Sequence, residues 1–477
     1  MIKLSIKKIS TMMQCEIYIK HNPLLDILHL VVDTVTIDSR ELSKKADKLH
    51  LFVAIRGAVY DAHDFIEISA TNGAKGFIVE RLPEDINSNA IYKNIAFLLV
   101  KDSILALGEL ARSYRLLFDI PVIAITGSNG KTTLKEMLFN IAKYEYGAKY
   151  VLATFGNLNN HIGVPLTIFN LTYEHKILIL ELGMNHMEEL NYLSHIVKPT
   201  IAIINNVMRA HAEFFNSIEE IAQAKSEIFD GLLPLSVACV DSSSPFKQLF
   251  LDKLYNNHPL VKVVMYDSTD LNILNFYHIK LQVLGIHNKY NAISAIAIAK
   301  ILALNNFSIQ NGLNAFNSYN RRLQLKTAFN NSTIIDDSYN ANPDSVKAAI
   351  NAALELNMPI WFIFGELAEL GKDAILWHKE IGAYASSCSQ IIALITLGQL
   401  ANLSGIEYVN NRKNNVSEVS LHQNFSDIDS LIAYCKNNLP ANIVVLVKGS
   451  RSNKLDLLVD NIVKDNNDKF AGLKPAK

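Results

Sequence analysis

Short apolar runs alternate with longer amphipathic stretches through the middle of the chain. An amphipathic stretch from Ile104 to Arg115 precedes the apolar run Val122–Ile125, and two more apolar runs occupy Lys176–Leu182 and Thr200–Val207. Apolar runs of this length between helical stretches are typical of parallel strands that are covered on both faces. The pattern therefore predicts a mainly parallel sheet that binds its ligands at the carboxyl ends of its strands.

Similar alternation occurs on both sides of this section. The preceding residues contain four β-type runs, Leu28–Ile37, His50–Ile55, Gly76–Val79 and Ile95–Val100. The following residues predict a second, doubly wound sheet from the runs Thr333–Asp337, Pro359–Gly365, Gln390–Gly398 and Asn442–Lys448. We also expect an antiparallel segment within Lys262–Val283, a helix over 291–304 and a surface loop at Asn410–Asn415.

A loop of small and polar residues joins the run Val122–Ile125 to a helix. It reads Thr126-Gly127-Ser128-Asn129-Gly130-Lys131-Thr132-Thr133. The two glycines allow the backbone to close around an anion, and the first N–H groups of the helix point at that anion. The lysine adds a positive charge at the outer phosphates, and Thr132 offers a hydroxyl to Mg²⁺. Because the strict pattern has glycine where this chain has Ile125, we interpret the segment as a shortened phosphate-binding loop; an ordinary glycine-containing turn is the alternative.

Length and composition fit an α/β enzyme of several domains. The chain has 477 residues, of which 49% are hydrophobic and 19% are charged, and this length corresponds to about three domains. We expect a small α/β N-terminal module over 1–102, a central P-loop domain with a parallel sheet over 103–321, and a Rossmann-like, doubly wound C-terminal domain over 322–477.

Charge and cysteine usage narrow the class of protein further. The formal net charge of −1 argues against a nucleic-acid-binding surface, which would show an excess of basic residues. Four isolated cysteines lack the spacing of a metal site or a disulfide framework, as expected for reduced thiols in the cytoplasm. We identify neither a signal-peptide pattern nor an apolar stretch of the ~18 residues that a membrane span needs, and we expect a cytoplasmic protein.

Two polar residues follow the next apolar runs of the central section. Glu181 is the only charged residue between Ile177 and Leu182, and His211 comes shortly after the third run. Because parallel strands end at the same edge of a sheet, we expect both residues to lie near Thr132. A carboxylate there can bind Mg²⁺, and a histidine can bind a metal or contact a phosphate. A solvated strand-end glutamate and an ordinary loop histidine are the alternatives.

A lysine occupies the apolar face of the helix that follows. Ser217 and Glu220 form a capping-box pattern at its start. Lys225 then lies on the same face as the apolar residues Ile218, Ile221, Ala222, Ile228 and Phe229. A buried ammonium needs a partner or a change of charge, so we interpret Lys225 as an active-site lysine that is chemically modified. The alternative is that its side chain extends past the apolar face to reach solvent.

The chain contains, in order, the motifs TGSNGKTT at 126–133, ELGMN at 181–185, HAEFF at 211–215, AKSEI at 224–228 and GIHNKYNA at 285–292. Together they resemble the motifs of the Mur ligases, the ATP-dependent amide-forming enzymes of peptidoglycan precursor synthesis. The segments DDSYNANP at 336–343, GELAELG at 365–371 and VKGSR at 447–451 resemble the branch of the family that adds D-alanyl-D-alanine. The likeness extends to TIDSR at 36–40, LFVAIRG at 51–57 and GNLNNHIGVP at 156–165, so that it covers nearly the whole chain.

The resemblance implies a reaction, its cofactors and its substrates. The terminal carboxylate of a UDP-N-acetylmuramoyl-tripeptide would attack the γ-phosphate of ATP, and the amine of D-alanyl-D-alanine would displace phosphate from the resulting acyl phosphate. Two Mg²⁺ ions and a carbamylated lysine would assist. The family resemblance also implies a first domain that binds the UDP-sugar, and we expect a monomer without nucleic-acid or membrane partners.

The resemblance further implies roles for individual residues. Nucleotide contacts would come from Gly127, Ser128, Asn129, Gly130, Lys131, Thr132, Thr133, Asn288, Arg322 and Asp337. Metal ligands would be Thr132, Glu181, His211 and Lys225 as its carbamate, and the catalytic set would be Lys131, Glu181, His211 and Lys225. The UDP-tripeptide would contact Ser39, Arg40, Asn157, Asn159, Asn160 and His161. Remaining substrate contacts would come from Asn340, Asn342 and Lys448, the last to the dipeptide or to a phosphate.

The chain departs from the family pattern at three places. Arg321 stands where the family usually has glycine, which leaves the roles of Arg321 and Arg322 open. Glu366 replaces an aspartate, and Glu188 stands where glycine is common. None of these changes removes a charge that the chemistry requires.

Two other functions are compatible with the phosphate-binding loop. A sister ligase that adds the third peptide residue would be expected to show an Asp-Asn-Pro-Arg segment in the last domain, and this chain lacks that segment. A P-loop nucleotidase or switch, whose outer domains only bind partners, would hydrolyse ATP without the second substrates. The sequence leaves open whether the third peptide residue is lysine or diaminopimelate.

Overall fold

Three sheets follow one another along the chain in a computed structural model that describes residues 3–20, 25–42, 48–209, 213–413 and 421–464. The first seven strands are β1 (Leu4–Ser5), β2 (Glu16–Ile19), β3 (Val31–Val32), β4 (Thr34–Thr36), β5 (His50–Val53), β6 (Ala74–Val79) and β7 (Ala96–Leu99). Five of them form the first sheet in the order β2-β7-β6-β5-β4, which is parallel except where β2 runs against β7. Strands β1 and β3 pair separately.

The second sheet is parallel throughout, whereas the sequence predicts a mainly parallel one. Its strands are β8 (Val122–Thr126), β9 (Val151–Ala153), β10 (Ile177–Glu181), β11 (Ile201–Ile204), β12 (Val237–Asp241) and β13 (Lys262–Tyr266). Their order is β13-β12-β11-β8-β10-β9, which places β8 between β11 and β10. In this register Glu181 lies opposite Ile125, and Ile204 lies opposite Thr126. The segments that follow these three strands therefore leave the sheet side by side.

The third sheet is parallel except at one edge. Its strands are β14 (Gln324–Thr327), β15 (Thr333–Asp337), β16 (Ile360–Gly365), β17 (Ile391–Leu397), β18 (Leu421–Phe425) and β19 (Val444–Lys448). They lie in the order β14-β15-β19-β16-β17-β18, with β14 antiparallel to β15. Asp337 and Lys448 are paired at the carboxyl ends of neighbouring strands.

Helices cover the faces of the sheets. They are α1 (Ile6–Met13), α2 (Leu25–His29), α3 (Ile66–Thr71), α4 (Ser103–Arg115), α5 (Lys131–Tyr146), α6 (Gly163–Ile168), α7 (Glu189–Val197), α8 (Ile218–Ser226), α9 (Lys247–Asn257), α10 (Asn272–Phe276), α11 (Ile286–Ile301), α12 (Asn306–Asn314), α13 (Pro343–Leu354), α14 (Ala374–Ser387), α15 (Gln399–Lys413), α16 (Ile428–Asn438) and α17 (Leu455–Ile462). Helix α5 packs against α11 and α12 on one face of the central sheet. On the other face, a single apolar cluster continues through Leu107 of α4 to Leu98 of the first sheet. Within the described ranges, no helix combines the length and apolar character required to cross a bilayer.

Several local expectations are wrong, each for an identifiable reason. The segment predicted to be antiparallel begins with β13, which runs parallel to β12 because α9 forms a crossover between them. The predicted run Leu28–Ile37 divides into the end of α2 and two short strands around Asp33, whose carboxylate accepts the Leu49 N–H. Helix α11 begins five residues before the expected helix, since Gly285 at a φ of 91° provides its N-terminal turn. Of the predicted loop Asn410–Asn415, residues 410–413 belong to α15, and the rest lies outside the described residues.

Candidate active site

The phosphate-binding loop joins β8 to α5 in a conformation that requires glycine. Gly130 adopts a φ of 75°, and a Cβ at this position would lie 2.6 Å from the Asn291 side-chain oxygen. The loop backbone is held from the neighbouring strand, because the Ser128 N–H donates to the Asn206 carbonyl at 3.0 Å. The Asn129 N–H donates to the Asn206 side-chain oxygen at 2.9 Å. The loop is therefore preorganised by residues that follow β11.

Lys131 places its ammonium across this loop. Its Nζ donates to the Gly127 carbonyl oxygen at 2.7 Å. Burial lowers the pKa of Lys131, whereas the nearby Glu181 carboxylate opposes that shift and the Arg322 charge adds to it. Positive charge from both Lys131 and Arg322 thus converges where the helix N-terminus already favours an anion.

Thr132 and Glu181 form a buried pair beside the loop. The Thr132 hydroxyl donates to Glu181 Oε2 at 2.8 Å, and both residues are 3% exposed. Asn159 donates to Glu181 Oε1 at 2.8 Å. The backbone N–H of Glu181 donates to the Thr154 hydroxyl at 2.9 Å. The carboxylate is thus fixed by two side-chain donors and by its own backbone.

The donor set suits Mg²⁺ in the presence of phosphate. Two oxygen ligands, the Thr132 hydroxyl and the Glu181 carboxylate, lie 2.8 Å apart at the end of the phosphate-binding loop. Mg²⁺ prefers oxygen and is commonly held by one or two carboxylates together with substrate phosphates. Among the described residues, no group of three or more His, Cys, Asp or Glu side chains is placed to hold a metal alone. The arrangement therefore fits a metal that arrives with a nucleotide.

Lys225 is buried, as its position on the helix predicts. Helix α8 begins at Ile218, where the Ser217 hydroxyl accepts the Glu220 N–H at 3.2 Å. Lys225 is 1% exposed. Burial, with a further contribution from the Lys131 charge, holds the pKa of Lys225 well below its ordinary value. These effects favour a neutral amine.

A series of hydrogen-bonded asparagine side chains supports the phosphate-binding loop. Asn205 donates to the Asn129 carbonyl at 3.0 Å and to the Asn291 side chain at 2.8 Å. The predicted nucleotide residue Asn288 donates to the Leu284 carbonyl at 2.6 Å, inside the first turn of α11. Sequence reasoning missed the roles of Asn205 and Asn291. The position of Asn205 directly after β11, at the ligand-binding edge of the sheet, is the signal that could have identified it.

Residues of the third sheet reach the same region. Lys448 Nζ donates to an Asp337 carboxylate oxygen and to the Asn340 carbonyl, the latter at 3.1 Å. The other Asp337 oxygen accepts the Leu323 N–H at 3.1 Å. Lys448 is buried, so it is not the plain surface residue that a strand-end lysine could have been. The pair fixes the segment that carries Asn340.

The structure separates the two neighbouring arginines. Arg321 forms an ion pair with Asp456 of α17 at 2.7 Å. Arg322 instead stacks over the Tyr339 ring, with its guanidinium 4.4 Å from the ring centroid, and its Nε is buried without a hydrogen-bond partner among the described atoms. Arg322 lines the main cavity, whereas Arg321 borders only a smaller cavity beside it. Of the two, Arg322 is the arginine that shares a cavity with the phosphate-binding loop.

Direct contacts join the central and third sheets around this region. The Asn342 amide donates to the Asn129 side-chain oxygen at 2.8 Å, which links the N-terminus of α13 to the phosphate-binding loop. The Arg209 guanidinium lies 5.0 Å from the centre of the Trp377 ring. The Glu213 N–H donates to the Glu369 carbonyl at 3.1 Å.

A cavity of about 1140 Å³ brings most of the predicted residues together. Those that line it are Ser128, Asn129, Gly130, Lys131, Thr132, Thr133, Asn157, Asn159, Asn160, His161, Glu181, Asn288, Arg322, Asp337, Asn340, Asn342 and Lys448. Gly127 and Lys225 do not belong to this lining, although Lys225 is near enough to Lys131 for the Lys131 charge to lower its pKa. His211 lies outside the described residues.

Ser39 and Arg40 do not line this cavity. They belong to a turn after β4, where the Arg40 side chain is 85% exposed and forms an ion pair with Asp38 at 2.7 Å. The structure therefore does not bring these two predicted residues to the loop. They lie on the first sheet, which the sequence assigns to a separate module.

Comparison with known proteins identifies relatives over nearly the whole length of the chain. Residues 125–299 match the family model described as "Mur ligase middle domain", and residues 321–451 match "Mur ligase, glutamate ligase domain". The chain is 32% identical to the UDP-N-acetylmuramoyl-tripeptide--D-alanyl-D-alanine ligase of Haemophilus influenzae, over 96% of this chain and 97% of that protein. It is 33% identical to the ligase of the same name from Buchnera aphidicola, over 92% and 94%. A crystal structure of MurF from Acinetobacter baumannii shares the fold with a TM-score of 0.81 and 28% identity, over 96% of this chain and 98% of that one.

Proposed function

This chain belongs to the Mur ligase family, and we propose that it joins D-alanyl-D-alanine to a UDP-N-acetylmuramoyl-tripeptide, with conversion of ATP to ADP and phosphate. The observation that carries this proposal is the Thr132–Glu181 pair at the phosphate-binding loop, inside a cavity that residues of the third sheet also line. Full-length relatives with this activity in their names support the choice of substrates.

The reaction activates a carboxylate that is otherwise unreactive. The terminal carboxylate of the tripeptide attacks the γ-phosphorus of ATP and gives an acyl phosphate and ADP. The dipeptide amine then attacks the acyl carbon, loses a proton and expels phosphate, which yields the amide. Since little covalent chemistry is left to the protein, its contribution is positioning and neutralisation of the converging negative charges.

The loop and its neighbours supply that neutralisation. Lys131 and the N-terminus of α5 face the β- and γ-phosphates, and Arg322 approaches from the segment before β14. Burial strengthens each interaction because little solvent remains to screen it. Asp337 would contact the ribose or phosphate region, and Asn288 would contact the adenine.

Two Mg²⁺ ions would be held by this chain's residues, one by Thr132 and Glu181 and the other by His211 and Lys225. Bound there, the ions would neutralise the negative charge of phosphate oxygens. The lysine becomes an oxygen ligand when its neutral amine combines with CO₂, which forms an N–C bond and releases one proton to give a carbamate. This change would place a carbamate anion beside the Lys131 ammonium, and the lowered pKa of Lys225 favours the reactive amine.

Replacement of Lys225 tests the carbamate. Lys225→Ala is expected to lose most activity and to regain part of it with a short-chain carboxylic acid, which returns a carboxylate to the same position. Lys131→Ala is the matched control, since a carboxylic acid cannot replace its positive charge. Full activity of Lys225→Ala, or equal rescue of both variants, would contradict the proposal.

The remaining predicted residues would recognise the substrates. Contacts to the UDP end would come from Ser39 and Arg40, and contacts to the muramoyl peptide from Asn157, Asn159, Asn160 and His161. The amide oxygen of Asn160 already accepts the Gly163 N–H at 2.8 Å at the start of α6, which leaves its NH₂ group for a substrate. Asn340, Asn342 and Lys448 would border the dipeptide.

The proposed division of labour follows the three sheets. The boundaries would be 1–102 for binding of the UDP-sugar, 103–321 for ATP and 322–477 for closure over the site, as in ligand-driven hinges. Because ATP and nucleotide-linked sugars are cytoplasmic metabolites, we place the protein in the cytoplasm, and we expect a monomer.

A product assay tests the function directly. The purified protein is incubated with ATP, Mg²⁺, D-alanyl-D-alanine and a UDP-tripeptide that carries either lysine or diaminopimelate, and the products are identified by mass. The proposal expects ADP release only when both other substrates are present, together with one UDP-pentapeptide. ATP hydrolysis that ignores these substrates would instead indicate a P-loop nucleotidase.

A further inference from the structure

Lys135 is a buried lysine that the proposed chemistry does not use. It lies on α5 one turn after Thr132, and its side chain is 1% exposed. Its Nζ donates to the Thr154 carbonyl at 2.6 Å and lies 2.7 Å from Glu136 Oε1. A buried ammonium destabilises a fold unless its donors are engaged in this way. The contacts that engage it are therefore informative about its role.

The first contact leads to Glu181. Thr154 directly follows β9 and is held at three points: its N–H donates to the Ile179 carbonyl at 3.0 Å, its hydroxyl accepts the Glu181 N–H at 2.9 Å, and its carbonyl accepts Lys135. Helix α5 thus supports Glu181 twice. The Thr132 hydroxyl binds the carboxylate, and Lys135 fixes the residue to which the Glu181 backbone is hydrogen-bonded.

The second contact leads to Arg322. Lys135 Nζ lies 5.6 Å from the centre of the Tyr319 ring, within the range of a cation–π interaction. Tyr319 belongs to the segment between α12 and β14, and its carbonyl accepts the Arg322 N–H at 3.0 Å. The Lys135 ammonium therefore contacts the segment that places Arg322 in the lining of the main cavity.

We propose that Lys135 is a positioning residue that holds Glu181 and the Tyr319–Arg322 segment in one arrangement around the nucleotide phosphates. The two charged groups belong to different parts of the chain: the Glu181 carboxylate ends β10, and the Arg322 guanidinium lies in the connection to the third sheet. Lys135 contacts Thr154, which is hydrogen-bonded to Glu181, and Tyr319, which is hydrogen-bonded to Arg322. This role rests on the proposed nucleotide and Mg²⁺ site but not on the identity of the substrates that are joined.

Binding of ADP tests the link to Glu181. Lys135→Met retains the unbranched side chain and removes the ammonium, and Lys143→Met provides the control at an exposed position of the same helix. In calorimetric titrations, Lys135→Met is expected to weaken ADP binding about tenfold or more with Mg²⁺ present, as for other residues that support a metal ligand. Without Mg²⁺ the loss should be less than about threefold, because Glu181 acts on the nucleotide through the metal. Equal losses with and without Mg²⁺, or none, would overturn the proposal.

Replacement of the ring tests the link to Arg322. Tyr319→Phe retains the aromatic face and should leave kcat near that of the wild type, whereas Tyr319→Leu should lower kcat about tenfold with little change in the Mg²⁺-dependent ADP affinity. Lys135→Met combined with Tyr319→Leu should cost less than the product of the single effects, since both act on one contact. Equal activities of the Phe and Leu variants would refute this link, and this pair remains available if Lys135→Met does not fold.

The two proposals fail in different ways. If the wild type binds Mg²⁺–ADP and forms no UDP-pentapeptide, the proposed function is wrong while the calorimetric result still decides the role of Lys135. If the wild type forms product and Lys135→Met binds ADP like the wild type with Mg²⁺, the positioning role is wrong and the proposed function stands.

Discussion

Replacement of Glu181 by glutamine is expected to separate stability from nucleotide binding. The carboxylate is 3% exposed and accepts hydrogen bonds from Thr132 and Asn159, each at 2.8 Å. Glutamine can accept the Asn159 bond through its oxygen and donate to the Thr132 hydroxyl through its NH₂ group. Exchanging two charge-assisted bonds for neutral ones loses about 1 kcal/mol each, hence about 2 kcal/mol. The substitution also removes the cost of burying a charge, which is several kcal/mol. The nucleotide-free variant should therefore be at least as stable as the wild type.

The ligand-bound protein should behave in the opposite way. At a free ADP concentration of about 100 times Kd in the presence of Mg²⁺, binding stabilises the folded state by about 2.7 kcal/mol. For a unit of about 200 residues, each kcal/mol raises Tm by about 2–4 °C. The wild type should thus gain roughly 5–11 °C, whereas Glu181→Gln should gain less than about half of that because the metal loses its carboxylate ligand.

Thermal unfolding with and without ADP and Mg²⁺ measures both effects. Glu227→Gln is a matched control, since Glu227 is also buried but accepts the N–H groups of Glu188 and Asn191 and does not line the main cavity. This control should retain the full ligand-induced shift. An unchanged shift in Glu181→Gln would refute the assignment of Glu181 to the metal, and a marked loss of nucleotide-free stability would refute the balance worked out above.

Substitutions at four other positions distinguish residues that hold the fold from residues that face the cavity. Arg322→Ala should lower kcat at least about tenfold and leave Tm unchanged. Arg321→Ala should instead lower Tm, because it removes the ion pair with Asp456. Kinetics and thermal unfolding measure the two effects, and the reverse pattern would contradict this prediction. Asn342→Ala should reduce the free energy of unfolding, measured by urea denaturation, by about 1 kcal/mol because it removes the N-cap of α13. Asn342→Ser should reduce it less, since a hydroxyl can also cap a helix. Equal losses in the two variants would exclude the cap as the cause. Burial lowers the pKa of His378 from 6.5, so the unfolded chain binds more protons and stability falls as the pH decreases below about 6.5. His378→Leu should therefore reduce the slope of Tm against pH in that range. An unchanged slope would contradict this prediction.

The central site was predictable because its signals are local. The apolar run of β8, the glycines of the loop and the first residues of α5 lie within thirteen positions, and the carboxylate of β10 closes a similar run. Burial of Lys225 also followed from helical spacing alone. Each inference needed a pattern no longer than one strand or helix.

Contacts between residues that are far apart in the sequence could not be predicted. Lys448 meets Asp337 because β19 lies next to β15, although 111 positions separate the two residues. Neither the sheet order nor this ion pair leaves a local trace in the sequence. Lys135 reads as an ordinary helix residue until its contacts with Thr154 and Tyr319 are known.

Backbone conformation accounts for two departures from the family pattern. Glu188 and Arg321 both stand where glycine is expected, and both adopt a left-handed conformation, with φ of 69° and 62°. This conformation costs a residue with a Cβ about 1–2 kcal/mol. At Glu188 the N–H donates to the buried Glu227, and at Arg321 the side chain pairs with Asp456, so that tertiary contacts offset the strain.

The register of β10 against β8 connects the proposed metal site to the alignment of the sheet. Sliding β10 by one position would turn Glu181 to the opposite side of the sheet, toward the apolar layer that contains Leu180 and Leu182. A carboxylate on that face would lack the Thr132 and Asn159 donors, and its burial there would destabilise the misaligned sheet by several kcal/mol. The acidic side chain that we propose as a Mg²⁺ ligand would therefore also disfavour a misaligned strand while the sheet assembles.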